Sequence, residues 1–426
     1  MRRYAIIGAL VSMAAIATAW VVLREPPSAS VPAIAGDPAS RIARGAYLAR
    51  AGDCAACHTA RGGEPYAGGV AIPTPFGVFY APNITPDTQT GIGTWIADDF
   101  WRAMHEGKSK DGTLLYPAFP YTNYTRISRG DADDLFAYLR TVKPVRQARR
   151  AHELQFPYNQ RKLLVAWRAL YFHPGEYAND AARDAQWNRG AYLVTGLGHC
   201  DACHSTRNAL GAVPGDNEVV GGLIPVQNWY APSLTSNRET GLGDWEIEDV
   251  VDLLQTGVSE RGAVFGPMAA VVHGSLQYLT QEDLAAIATY LKAQTQSGEP
   301  PEPPQVKVPA AQAEAMMRQG GKLYEKYCAD CHQRHGEGVP SIYPPLVNNE
   351  AILMHYPVNA IRIVVNGGFP PSTESNPRPY GMPPFSQDLS DQEIAAVVSY
   401  VRQSWGNHAP PVSPVEVSSA RGIPVD

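Results

Sequence analysis

The sequence lacks the features that mark several large classes of protein. Its 41 acidic residues outnumber its 35 basic ones and give a formal net charge of −6, so its charge gives no reason to expect nucleic-acid binding. It has no motif for flavin, nicotinamide or phosphate binding, and no grouping of nucleophile, acid and base. The sequence therefore indicates no active site built from side chains alone.

Cysteine is scarce, and all six cysteines lie in three pentapeptides with the pattern Cys-x-x-Cys-His, at residues 54–58, 200–204 and 328–332. This pattern is the attachment signature of c-type haem. On one helical turn two thiols can each bond a haem vinyl group while the next histidine faces the iron. Zinc is disfavoured because a structural zinc site needs four ligands, and disulfides would leave the three histidines unexplained. The sequence predicts three covalently bound haem c groups.

The pattern also names the residues that hold each haem iron. The predicted attachment residues are Cys54, Cys57, Cys200, Cys203, Cys328 and Cys331, and the predicted proximal ligands are His58, His204 and His332. A haem iron held by histidine takes a second axial group, and methionine there raises the reduction potential. Met268 and Met382 fit this role, because each lies beside proline in a loop shortly before the last helix of its repeat.

The first repeat breaks this pattern. Aligning Gly107 with Gly257, and residues 116–119 with residues 265–268, places Phe119 where the methionine should be, and phenylalanine cannot bind iron. The alternatives for this iron are Met104, His105, a histidine of an inserted stretch such as His152 or His173, and an open coordination site.

The one long apolar run, residues 4–23, follows Arg2 and Arg3 and is long enough to cross about 30 Å of hydrocarbon as a helix. We expect an uncleaved anchor with the rest of the chain on the periplasmic side of the bacterial inner membrane. The alternative is a cleaved signal peptide, since small residues at 17–19 could precede a cleavage site. In both cases the haem domains are exported.

Three repeats organise the rest of the chain. A similar helix start precedes each haem motif, at 44–48, 189–193 and 320–324, and each repeat ends in a helix with a capping signal at Ser128, Thr280 or Ser390. A glycine in the first helix and an aromatic residue in the last would let the two cross closely. The predicted fold is mainly α, with three tandem class I cytochrome c-like domains behind an N-terminal transmembrane or signal helix.

The sequence divides as follows: a signal anchor or signal peptide with its linker, 1–35; domain 1 with an inserted linker helix, 36–178; domain 2, 179–298; a Pro-rich linker, 299–309; domain 3, 310–408; and a C-terminal tail, 409–426.

Several longer motifs resemble those of a known family. They lie at residues 156–159, 230–235, 343–346 and 401–407. On these motifs the chain resembles the triheme cytochrome c subunits of bacterial membrane-bound dehydrogenases, a family that serves alcohol, gluconate, sorbitol and fructose dehydrogenases and some molybdenum hydroxylases. The resemblance covers nearly everything after the apolar run. In that family the position of Phe119 is commonly Met, so this chain departs from the family there.

The resemblance implies an electron-transfer subunit that is not itself an enzyme. A catalytic dehydrogenase subunit of flavin, quinoprotein or molybdenum type would oxidise a substrate in the periplasm, and the electrons would pass to ubiquinone or a terminal oxidase. The alternative is a haem enzyme or small-ligand sensor that uses an open coordination site at the first haem. A high-spin first haem would favour this alternative, and three low-spin haems would favour electron transfer. The sequence does not name the partner's substrate.

Overall fold

The computed structural model describes residues 37–215, 219–236, 241–295 and 308–422, and these residues are mainly helical, as predicted. The α-helices are α1 (Pro38–Ala51), α2 (Cys54–His58), α3 (Ala97–Glu106), α4 (Tyr121–Tyr124), α5 (Arg129–Leu139), α6 (Leu164–Tyr171), α7 (Ala185–Thr195), α8 (Asp201–His204), α9 (Ile247–Thr256), α10 (Pro267–Gly274), α11 (Gln281–Lys292), α12 (Ala310–Tyr327), α13 (Ala329–His332), α14 (Glu350–Leu353), α15 (Val358–Asn366), α16 (Asp391–Gln403) and α17 (Pro414–Arg421).

The strands are short and antiparallel. They are β1 (Ala71–Thr74), β2 (Gly77–Tyr80), β3 (Glu153–Leu154), β4 (Gly222–Ile224), β5 (Trp229–Ala231), β6 (Val258–Ser259) and β7 (Gly262–Ala263). They form one sheet of order β1-β2-β3 and two hairpins, β4-β5 and β6-β7. The predicted N-terminal helix and most of the Pro-rich linker lie outside the described residues. Within the described ranges, no helix is long and apolar enough to cross a bilayer.

A pair of crossed helices occurs three times and forms the frame of the molecule. We call α1, α7 and α12 the opening helices and α5, α11 and α16 the closing helices. A Cβ atom added at Gly45, Gly190 or Gly320 of an opening helix would lie 2.0, 1.9 or 2.2 Å from a carbonyl oxygen of the closing helix. The predicted close crossing is therefore present in all three pairs. We call the corresponding parts of the chain unit 1 (37–178), unit 2 (179–295) and unit 3 (308–422).

The closing helices begin at the predicted capping residues. The side chains of Ser128, Thr280 and Ser390 each accept a hydrogen bond from the backbone N–H three residues later. In unit 3 the Ser390 backbone N–H also donates to the Glu393 carboxylate, which completes a capping box. In units 1 and 2 the residue at this position is an aspartate, and its carboxylate binds an arginine of the opening helix instead.

Each unit has its own buried apolar core. Leu48 and Leu135 lie in the core of unit 1, and Leu284 and Ala288 lie in that of unit 2, all at most 1% exposed. The core of unit 3 continues beyond residue 408, because Val417 of α17 is fully buried in it. Burial of each large aliphatic side chain contributes about 1.5–3 kcal/mol, so residues 409–422 are part of this unit.

The inserted stretch of unit 1, residues 144–175, connects units 1 and 2. Its strand β3 pairs with β2, and its helix α6 follows. The indole N–H of Trp167 donates to the backbone oxygen of Leu210 in unit 2. The ring of Phe172 packs edge-on to Tyr121 in unit 1, with ring centroids 4.9 Å apart. The insert therefore packs against both units.

Candidate haem sites

The three Cys-x-x-Cys-His motifs form single helical turns, α2, α8 and α13, shortly after the opening helices. Burial is the main cause that raises the pKa of Cys54, Cys200 and Cys328 to about 12, and neighbouring aspartates or cysteines contribute the rest of the shift. In the described part of the chain, no group of three or more His, Cys, Asp or Glu side chains could hold a metal ion.

Each of the three motif histidines makes the same kind of hydrogen bond, to the backbone oxygen of a proline. The ring Nδ1 lies 2.8 Å from the Pro82 oxygen for His58, 2.7 Å from the Pro232 oxygen for His204 and 3.0 Å from the Pro344 oxygen for His332. A carbonyl oxygen only accepts, so Nδ1 carries the proton and donates it. Burial lowers the pKa of each imidazole, and its bond to the proline carbonyl acts in the opposite direction. Each ring is therefore neutral and keeps the Nε2 lone pair free for a metal.

Unit 3 has a cavity that brings the predicted iron ligands together. It measures ≈ 610 Å³ including the part open to solvent, and both His332 and Met382 line it together with Cys328. The other lining residues are almost all apolar: Leu323, Tyr327, Leu346, Ile352, Ala360, Ile363, Val364, Phe385, Leu389, Val397, Val398 and Val401. An apolar slot with one imidazole, one thioether and one thiol fits a covalently held haem.

The backbone around Met382 fixes its position in this cavity. The Met382 N–H donates to the Gly368 oxygen at 2.8 Å, and the Gly368 N–H donates to the Met382 oxygen at 2.9 Å. A Cβ atom at Gly367, whose φ is +65°, would lie 2.5 Å from that same Met382 oxygen. Glycine at 367 therefore lets the loop lie against the end of α15.

Met268 of unit 2 is half-buried at the second position of α10. The preceding Gly266 has a φ of +59°, and a Cβ atom there would lie 2.6 Å from the Trp229 ring. The close approach of α10 to this ring sets where the helix begins. Binding of Met268 to the second iron stays a prediction.

The candidate ligands of the first iron lie in different places. Met104 is 5% exposed, in the same core cluster as Phe119 and Cys54. His105 faces elsewhere, because its ring stacks on Trp101 with centroids 4.3 Å apart. His152 accepts the Tyr80 backbone N–H at Nδ1, and His173 lines a polar pocket with Asp201 and Arg207.

The internal repeat distinguishes Met104 from its neighbour. Gly107, Gly257 and Gly367 all end a helix with positive φ, so α3, α9 and α15 correspond. Three residues before each glycine stand Met104, Leu254 and Val364. Val364 lines the cavity of unit 3, whereas Val365, the counterpart of His105, packs in the apolar core. In this alignment Met104 corresponds to a residue that lines the cavity of unit 3.

Sequence reasoning did not assign the proline carbonyls that hold the histidines. The signal was present, because Tyr-Ala-Pro at 80–82 recurs at 230–232 and Tyr-Pro-Pro occupies 343–345. These motifs follow their histidines by 24, 28 and 12 residues, and such unequal spacing hides a shared contact. The recurring proline could have been found, but its role could not.

Comparison with known proteins agrees with this geometry. The family Cytochrome c matches residues 42–143 and 317–405, which include the first and third motifs. The cytochrome c subunit of the quinone alcohol dehydrogenase of Gluconobacter oxydans (strain 621H) is 40% identical, over 90% of this chain and 83% of that subunit. The gluconate 2-dehydrogenase cytochrome c subunit of Pantoea cypripedii is 38% identical, over 89% of each chain. The fructose dehydrogenase cytochrome subunit of Gluconobacter japonicus is 35% identical, over 99% of this chain and 90% of that subunit.

Proposed function

Because this chain belongs to the cytochrome c family, among the cytochrome c subunits of bacterial dehydrogenases, we propose that it is a three-haem electron-transfer subunit. It takes electrons from a catalytic dehydrogenase subunit and delivers them to ubiquinone or a terminal oxidase. The observation that carries the proposal is the bond from Nδ1 to a proline carbonyl, made three times by the histidine of a Cys-x-x-Cys-His turn.

Haem iron supplies one-electron chemistry when it is bound, and the chain's own residues set the conditions for it. The two cysteines of each motif would attach the group covalently, and the histidine Nε2 would bind the metal. The proline carbonyl holds the imidazole ring in one tautomer and orientation and increases the basicity of Nε2. Each unit has this motif and the same contact from its histidine to a proline carbonyl, so the proposed fold is three tandem class I cytochrome c-like domains.

The second axial ligand differs between the units in this proposal. Met382 serves unit 3, where it shares a cavity with His332. Met268 serves unit 2 from the start of α10. Met104 serves unit 1, because it lies in the core beside Phe119 and at the repeat position that faces the cavity in unit 3. All three centres would then have one imidazole and one thioether.

The relatives also guide the proposed partner and location. They are named as cytochrome subunits of alcohol, gluconate and fructose dehydrogenases, so the partner is a catalytic dehydrogenase subunit. These names do not favour the alternative of a haem enzyme or gas sensor. We place the chain on the periplasmic side of the inner membrane, anchored by or exported through residues 4–23, where c-type haem is normally attached.

Purification of the tagged chain from its native membranes tests this function. We expect a dehydrogenase subunit to copurify. One substrate from a panel of primary alcohols, gluconate and fructose should then reduce the haem absorbance, and a soluble ubiquinone analogue should reoxidise it. The matched control is the same preparation with the catalytic subunit removed. Haem that stays oxidised with every substrate, in a preparation that dithionite reduces fully, would contradict the proposal.

A further inference from the structure

Units 1 and 2 are joined by two equivalent hydrogen bonds, in which a tyrosine of each unit binds an aspartate of the other. The Tyr47 hydroxyl of unit 1 donates to Asp283 Oδ2 of unit 2 at 2.6 Å. The Tyr192 hydroxyl of unit 2 donates to Asp131 Oδ2 of unit 1, also at 2.6 Å. The two tyrosines occupy the same position in their opening helices, and the two aspartates the same position in their closing helices. The pairing is that of a two-fold interface, in which each partner offers the same surface.

Backbone groups complete each half of this contact. The Ser128 N–H donates to the Tyr192 hydroxyl at 3.1 Å, and the Thr280 N–H donates to the Tyr47 hydroxyl at 3.3 Å. Each tyrosine hydroxyl therefore accepts a hydrogen bond from the amide of the residue that caps the other unit's closing helix. A distance of 2.6 Å is typical of a strong O–H···O bond to an ionised carboxylate.

An arginine of the same unit binds each of these aspartates. Arg44 donates to Asp131 Oδ1 at 2.6 and 2.9 Å, and Arg189 donates to the two oxygens of Asp283 at 2.7 Å each. Asp131 is 5% exposed and Asp283 is 8% exposed. A buried carboxylate needs such partners to remain charged. The arginine therefore keeps each aspartate ionised, and the ionised carboxylate accepts the hydrogen bond from the tyrosine of the other unit.

At the same interface, each unit also inserts an apolar side chain into the core of the other. Ala51 of unit 1 lies in the core cluster of unit 2. Leu197 of unit 2, which occupies the equivalent position three residues before the first motif cysteine, lies in the core cluster of unit 1. Both are at most 5% exposed. Each core therefore includes one buried apolar side chain of the other unit.

Unit 3 does not have the residues of this contact. Its opening helix has Gln319 and Lys322 where units 1 and 2 have arginine and tyrosine. Its Glu393 carboxylate caps its own closing helix. The combination of arginine, tyrosine and aspartate thus occurs in the two units that pair.

The paired units also bring their haem motifs together. Helix α10 of unit 2 packs against α2 of unit 1. Asn123 of unit 1 donates to Asp201 Oδ1, inside motif 2, at 2.7 Å.

We propose that units 1 and 2 form one two-haem body, in which Tyr47 and Tyr192 are positioning residues that hold the two haem-attachment sites side by side. The inference rests on the proposed function, because it needs a haem in both units. Its consequence is that electrons move between these two sites at a fixed spacing, whereas unit 3 meets the pair through a different contact.

The test compares the full-length holoprotein with the double variant Tyr47→Phe/Tyr192→Phe, which loses two hydroxyls and keeps both rings. Two nearby haems give a paired positive and negative circular-dichroism band in the Soret region, whose amplitude depends on their spacing and orientation. We expect this band pair in the wild type and loss of most of its amplitude in the double variant. Hydrogen exchange at the Ser128 and Thr280 amides should become about tenfold faster, since each loses its acceptor.

The matched control is Tyr324→Phe, which removes a 2.6 Å hydrogen bond from tyrosine to the Gln333 oxygen inside unit 3. It should leave the band pair and both amides unchanged. If the double variant does not fold, each single variant should give a smaller change of the same kind. A double variant that carries three haems by intact mass, and whose band pair and amide exchange match the wild type, would contradict this inference. The proposed function would be unaffected by that result. A wild type with fewer than three haems would refute the proposed function.

Discussion

Each motif histidine has one ring nitrogen on a proline carbonyl and would bind iron through the other, so the second axial ligand is what can differ between the proposed sites. Met382 lines the cavity of His332 and is fixed by two backbone hydrogen bonds to Gly368. Its thioether can be exchanged without disturbing the loop, since the backbone makes these bonds. Substitution at Met382 therefore changes the proposed iron ligand and leaves the backbone hydrogen bonds of its loop in place.

We expect Met382→His to lower the reduction potential of one centre by part of the roughly 0.8 V that axial ligands span. The physical reason is that a thioether favours the reduced iron more than an imidazole does. Potentiometric titration of the holoprotein would show one transition shifted and the others in place. Met268→His should do the same for a different centre. Unaltered potentials in both variants would mean that these methionines do not bind iron.

The residues of unit 2 can be substituted for Met104 and Phe119, because unit 2 has Leu254 and Met268 at the corresponding positions. Met104→Leu should leave the first iron without its thioether and give a high-spin haem that binds carbon monoxide. Adding Phe119→Met should restore a low-spin haem and abolish carbon monoxide binding. Optical and magnetic circular-dichroism spectra would follow both changes. A Met104→Leu protein with the wild-type spectrum would show that Met104 is not the ligand.

At the scale of elements, the junction between the insert and the sheet depends on a neutral histidine. The Tyr80 backbone N–H donates to His152 Nδ1 at 3.1 Å, beside the rings of Phe79 and Tyr116. Burial, together with the charges of Arg149 and Arg161, lowers the pKa of His152 to about 4. Protonation would remove the acceptor at Nδ1 and place a third positive charge beside the two arginines.

The stability that His152 contributes should therefore depend on pH. The pKa of histidine in an unfolded chain is about 6.5. Because the pKa is lower in the folded chain, the contribution is fully present above about pH 6.5 and is lost as the pH falls toward 4. Thermal unfolding between pH 7 and pH 4 should show a steeper loss for the wild type than for His152→Gln, whose amide oxygen can accept the same N–H. Parallel curves for the two proteins would contradict this.

The elements were more predictable from the sequence than their contacts. The capping residues Ser128, Thr280 and Ser390 and the glycines at the helix crossings are local signals, and the structure has them as predicted. The exchanged tyrosines were not predicted, because Tyr47 and its aspartate are 236 residues apart. The repeated Arg-Gly-Ala-Tyr-Leu sequence indicated a helix start, and nothing local showed that its tyrosine contacts another unit.

At the scale of the whole molecule, the helix pair and its Cys-x-x-Cys-His turn occur three times, and the units contact one another in two ways. Units 1 and 2 exchange hydrogen bonds and buried apolar side chains. Unit 3 contacts unit 2 through other groups, such as the Asn359 amide, which bonds the Tyr230 backbone at 2.7 and 2.9 Å, and the stacked rings of Tyr230 and Tyr356. This arrangement of two paired units and a third is consistent with the proposal that the chain accepts electrons from one partner and delivers them to another.

The central claim is that all three units hold a covalent haem, and intact mass spectrometry tests it most directly. The chain is expressed in a host with c-type haem maturation and extracted with acidified organic solvent, which removes haem that is not covalently bound. The mass should be that of the polypeptide plus three haems, and Cys200→Ala/Cys203→Ala should retain two. A wild-type mass that corresponds to two haems or fewer would contradict the account.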